Sequence, residues 1–167
     1  LLPVDSSESF IPMGTLGYKI AIGAGSSTHN LRGTTVQLED VASYRKAWKD
    51  AGHEGEPTTV VRIPTLLADT KEEADRLSDE LMVLARRYFS GRIGIGSTDA
   101  GSPSPETTEE VNLFGTAEDV VDKIEVLREQ YSTDEIMFEV NWTSSVPRDV
   151  VMKTIRILTD KVIPKFK

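Results

Sequence analysis

The chain has 167 residues, a formal net charge of −8, 38% hydrophobic and 28% charged residues, and no cysteine. That length suits one domain with a sizeable core. The acidic balance excludes a surface built to neutralise nucleic-acid phosphates, and the missing cysteines exclude disulfides, thiolate nucleophiles and zinc ribbons.

No apolar run approaches the roughly 20 residues of a membrane-spanning helix. The expectation is a reducing, cytoplasmic protein without a nucleic-acid or membrane partner. The first run, "LLPV" (1–4), reads as a strand that breaks at Asp5-Ser6-Ser7 into the helix "SESFIPMGTLG". Serines and free backbone amides at a helix N-terminus suit a phosphate, through hydrogen bonds and the helix dipole. Ordinary N-capping uses the same residues.

The second run, "KIAIG" (19–23), delivers its end into Gly23-Ala24-Gly25-Ser26-Ser27. Residues with almost no side chain let a flat ligand lie against the backbone and expose N–H donors. A plain strand-to-helix loop accounts for the same letters. Val41, Tyr44 and Trp48 then recur at helical spacing up to the turn "AGHEGEP". The two histidines, His29 and His53, read as solvated loop residues that form neither a catalytic triad nor a metal site.

"TVVRIPTLLA" (59–68) predicts a third strand, whose alternation puts Arg62 with Val60, Pro64 and Leu66, opposite Val61 and Ile63. Thr70 and Glu73 form a capping box for a helix striped by Ala74, Leu77, Leu81, Leu84 and Tyr88. Residues 90–112, rich in Gly, Ser, Thr and Pro, read as a long insertion, either a lid or a flexible excursion. Thr116 and Asp119 open the next helix, which carries Val120, Ile124, Leu127 and Tyr131.

In the fourth strand, "EIMFEVN" (135–141), Ile136, Phe138 and Val140 share one face, and Met137, Glu139 and Asn141 the other. A buried charge needs a partner, so Arg62 and Glu139 are expected to meet in the sheet's inner layer, with Asn141 a further polar candidate there. A structural pair and a ligand contact both remain open. The last helix is expected from about Ser145 to Pro164, on Val151, Ile155, Leu158 and Val162. Strands alternating with helices of this length predict βαβ units and a parallel sheet, an α/β protein.

Taken together, these segments resemble the C-terminal half of the bacterial luciferase-like monooxygenase family. The resemblance is carried in order by "SSESFIPMGTLGYKIAIG", "SYRKAWKDAGHEGEP", "RIPTLLADTKEEA", "LFGTAEDVVDKIEVLRE" and "KTIRILTDKVIPKFK". It implies strands five to eight, about four βα units, of a TIM (β/α)8 barrel, whose full length is about 250 residues. Residues 1–167 would then be a single partial barrel domain. Its partner would be the missing N-terminal half or another copy of the chain, in a homo-oligomer.

Members of the family use reduced FMN or the deazaflavin F420. The resemblance therefore implies part of a flavin-dependent monooxygenase or oxidoreductase acting on a small organic substrate, inactive as the 167-residue chain alone. It matches Asp5, Ser6 and Ser7 to the phosphate-binding turn after strand five. Gly23, Ala24 and Gly25, with the backbone on through Ser26, match the loop beside the isoalloxazine ring. Ala24 stands where luciferases carry a larger aromatic residue. The polar residues credited with chemistry lie largely in the other half, so no catalytic residue is assigned. The alternative is a non-catalytic half barrel that binds a phosphate-bearing ligand or self-assembles.

Overall fold

The computed structural model describes residues 1–4, 6–23, 38–92, 112–131, 133–141 and 146–167. Five strands form one parallel sheet: β1 (Leu2–Val4), β2 (Ile20–Gly23), β3 (Thr59–Leu67), β4 (Leu113–Gly115) and β5 (Glu135–Glu139). Between and after them run α1 (Phe10–Thr15), α2 (Leu38–Asp50), α3 (Lys71–Arg92), α4 (Ala117–Tyr131) and α5 (Arg148–Ile157). The α/β parallel architecture expected from the alternation is the one observed.

β3 organises the sheet. It pairs with β2 on one side, from Ile20↔Thr59 to Gly23↔Arg62, and with β5 on the other, from Val60↔Glu135 to Pro64↔Glu139. Its last residues pair with β4, from Thr65↔Leu113 to Leu67↔Gly115. A parallel strand covered on both faces reads as a nearly continuous apolar run, and every residue of β3 except Arg62 is buried.

Helices pack on both faces of the sheet: Leu66 and Phe114 meet Leu77 and Leu81 of α3 and Val146. Val61, Ile63 and Leu67 pack with Leu113 on Val120, Ile124 and Leu127 of α4, and on Ile157, Leu158 and Val162 beyond them. Val4, Phe10, Ile20 and Ile22 pack on Val41, Tyr44 and Trp48 of α2. Tyr44 is fully buried, and its hydroxyl donates to the Tyr18 and Thr58 carbonyls at 3.1 and 3.3 Å. Burial pushes its pKa up to about 12.

Several local expectations are corrected. β4 lies outside the expected strands, because three residues carry no measurable period; it pairs with Thr65–Leu67 of β3, past the ends of both β2 and β5. α3 continues through Arg92, into the segment expected to begin the insertion. β5 stops at Glu139, so Val140 and Asn141 stand in a turn.

The final helix begins at Arg148, with Pro147 as its N-cap, and passes into π geometry at Leu158–Val162 and a 3-10 turn at Ile163–Phe166. Pro164 sits at the start of that turn, which it is compatible with, and does not end the helix at that point. The buried stripe runs through Thr154, Ile157, Leu158 and Val162, while Ile155 is 40% exposed. The polar Thr154 displaces Ile155 from the core because Thr154 bonds the backbone of β3.

Candidate functional site

Parallel register partners share a face, so Gly23, Arg62 and Met137 stand side by side on the face turned away from α4, with Pro64 and Glu139 one step further along. Neighbouring strands lie about 4.8 Å apart. Gly23, the register partner of Arg62, has no side chain. Arg62 Nη1 lies 3.6 Å from Glu139 Oε1, with the two side chains 30% and 28% exposed. The two charges expected to meet in the inner layer do stand together.

The pair is not saturated. At 3.6 Å it is an ion pair and longer than a hydrogen bond. Arg62 Nε is buried and has no acceptor. An unsatisfied buried donor costs about 1–3 kcal/mol.

Asn141 does not join them. It is exposed, in the turn after β5, where its Oδ1 accepts the Val146 N–H at 3.1 Å. Strand alternation placed it beside Glu139, but the strand ends before it, and the amide side chain instead stabilises the turn into α5.

At the end of β1 the serines behave unlike ordinary caps. Ser6 is the N-cap of the 3-10 turn Ser7–Ser9 that leads into α1, yet its side chain makes no capping bond; its hydroxyl pairs with that of Ser9 at 3.0 Å. Ser7 donates to Asp40 Oδ2 at 3.0 Å, from an exposed position. Asp40 belongs to the first turn of α2 and gives no local sign in the sequence of its approach to Ser7. Its carboxylate competes with any anion at this turn. Asp5, Ala24, Gly25 and Ser26 lie outside the described residues, as do His29, Trp142, Ser145 and 93–111.

His53 is not a free loop residue. Its Nε2 stands 2.8 Å from the Thr15 carbonyl, and its ring packs on Trp48 with centroids 5.1 Å apart. It closes the end of α1 over Gly17, whose φ of +72° and missing Cβ admit the ring. Where β3 and β5 begin, Asp134 Oδ2 accepts from the Thr59 N–H and hydroxyl at 2.9 and 3.0 Å and from Arg45 at 3.2 Å. That network is a structural clasp at the strands' N-terminal ends.

A second charged cluster lies in the helix layer. Lys153 of α5 contacts Asp69 at 2.9 Å and Glu73 at 2.7 Å, which holds both carboxyls below their usual range and Lys153 above its own. It ties α5 to the entrance of α3. Among the described residues no group of histidine and carboxylate side chains could hold a metal, and no helix is long and apolar enough to cross a membrane.

No protein-family model matches this chain, and no curated protein matches its sequence. Solved structures do match its fold. The monooxygenase RslO1 from Streptomyces bottropensis superposes with a TM-score of 0.72 at 14% identity, over 99% of this chain and 47% of its own. The oxygenating constituent of 3,6-diketocamphane monooxygenase from Pseudomonas putida, a type II Baeyer-Villiger monooxygenase in complex with FMN, gives 0.64 at 21% identity, over 98% and 47%. The coenzyme F420 dependent tetrahydromethanopterin reductase from Methanopyrus kandleri gives 0.62 at 18% identity, over 99% and 50%. The chain thus spans about half the length of the solved enzymes it matches, and its parallel α/β fold is that of half a barrel of this kind.

Proposed function

We propose that this chain is the cofactor-holding C-terminal half of a luciferase-like flavin-dependent oxidoreductase, acting on a small organic substrate with reduced FMN or F420. The observation that carries the reading is Ser6. It occupies an N-cap position and leaves the N–H groups of the following turn without a side-chain cap, at the C-terminal end of a parallel strand, where barrel enzymes build their sites. Asp5, Ser6 and Ser7 would hold the cofactor's phosphate there. The Gly23–Ser26 backbone would lie against the ring system, next to the unsaturated Arg62.

Ser6 and Ser7 fit such a group, with one adverse contact, the Asp40 carboxylate on Ser7. A bound flavin would supply electron transfer to substrate or oxygen. The chain's part is to bind and orient the group and to exclude water from one side of the site. Substrate-handling residues are assigned to the other half of the barrel, which this reading makes the partner.

Exposed apolar side chains stand at the first and last strands, Leu1 and Leu2 at β1 and Met137 in β5. Sheet edges and apolar flanks of this kind seek cover. They favour closure by the preceding half barrel, with self-assembly of two copies as the second reading.

The test is to purify the native gene product, measure its intact mass and oligomeric state, and titrate it with FMN and F420. A product about twice this length that binds either cofactor supports the reading. A product of this length that dimerises and binds neither favours the self-assembled half barrel.

A further inference from the structure

We propose that Arg62, steadied by Glu139, is a cofactor-positioning residue that donates to the carbonyl-bearing pyrimidine edge of the flavin or deazaflavin. This rests on the proposed function above and deepens it. The residue sits next to the start of the stretch read as the ring-binding backbone: Arg62 is the register partner of Gly23, on the same face.

Three features distinguish it from a structural pair. Its Nε is buried without an acceptor. Glu139 approaches only to 3.6 Å, which neutralises charge without using the guanidinium's donors. The side chain is 30% exposed. A guanidinium presents five donors in a fixed fork, and the acceptors of an isoalloxazine or deazaflavin are concentrated on its pyrimidine edge. Reduction places negative charge on that edge, so a cation there binds the reduced cofactor more tightly than the oxidised one. FMN and F420 share this edge, so the inference does not depend on which is used.

The experiment uses the native gene product with FMN, and then F420 if FMN does not bind. Dissociation constants for the oxidised and reduced forms, and the midpoint potential of the bound cofactor, are measured for wild type, Arg62→Gln, Arg62→Lys and Glu139→Gln. For Arg62→Gln the expected result is about tenfold greater loss of affinity for the reduced than for the oxidised form, equivalent to a potential about 30 mV more negative. Arg62→Lys should keep most of that potential, because it keeps the charge, and it remains informative if the Gln variant fails to fold.

A merely structural pair would lower the melting temperature of Arg62→Gln and Glu139→Gln while leaving the potential unchanged. That outcome overturns this inference and leaves the proposed function standing. A folded wild type that binds neither FMN nor F420 removes both.

Discussion

Thr154 closes the backbone of Leu67: the Leu67 N–H donates to Thr154 Oγ1 at 3.2 Å, and the Thr154 hydroxyl donates to the Leu67 carbonyl at 3.4 Å. β5 ends opposite Pro64, so β3 runs on past its neighbour. A helix side chain takes over where the ladder stops. Buried backbone groups must be paired, and this one hydroxyl pairs two.

Thr154→Val should therefore destabilise the protein by about 1–3 kcal/mol, because it strands buried backbone polar groups at nearly constant volume. Thr154→Ser should recover most of the loss. Urea unfolding midpoints of the two variants measure the difference; equal midpoints would mean that the hydroxyl is dispensable.

α1 crosses α2 at Gly14. A Cβ there would stand 2.4 Å from the Tyr44 carbonyl oxygen and 3.0 Å from the Ala47 Cβ. Backbone cannot yield as a flexible side chain can, so Gly14→Ala should cost about 1–3 kcal/mol as overpacking, despite alanine's better helix propensity. Thermal unfolding gives the sign directly, and a rise in melting temperature would contradict the close crossing.

Thr116 and Asp119 cap α4 reciprocally. The Thr116 N–H and hydroxyl donate to Asp119 Oδ2 at 2.9 and 2.8 Å, and the Asp119 N–H donates to the Thr116 hydroxyl at 3.3 Å. Chiefly through the Thr116 N–H, these bonds hold the Asp119 carboxyl below its usual range. A depressed carboxyl contributes stability that is fully present above its unfolded value, about pH 4, and lost as pH falls through the folded value. Thr116→Ala should cost about 1 kcal/mol at neutral pH. The penalty of Asp119→Asn should begin to shrink below about pH 4 and be lost as pH falls through the lower folded value. Stability curves across pH 2.5–7 would check both, and a penalty independent of pH would refute the cap's ionic part.

For the site, replacing Ser6 and Ser7 together with Ala should weaken FMN binding about tenfold or more, as hydrogen bonds to a charged group are worth about 1.5–3 kcal/mol. Asp40→Asn should act oppositely and tighten it, since Asp40 now occupies the Ser7 hydroxyl. Calorimetric titration beside melting temperatures separates binding from folding. Weaker binding by Asp40→Asn would mean that Asp40 helps to hold the cofactor and does not compete with it.

The sequence by itself determined what local periodicity and short-range chemistry can carry. The helix stripe Val41–Tyr44–Trp48 and the Thr116–Asp119 capping box stand in the structure as read, while Glu73 answers Thr70 by accepting from the Asp69 N–H. Alternation alone was enough to bring Arg62 and Glu139 onto one face. Tertiary structure decided what depends on where neighbours end. β4 forms where β3 runs past both of its neighbours, Asn141 leaves the inner face because β5 stops two residues early, and Thr154 is buried because an overhanging backbone needs it. Asp40 reaches Ser7 across 33 positions of chain. Periodicity reports which way a side chain points along its own element; the partner it meets is set by the length and register of another element, which no local window contains.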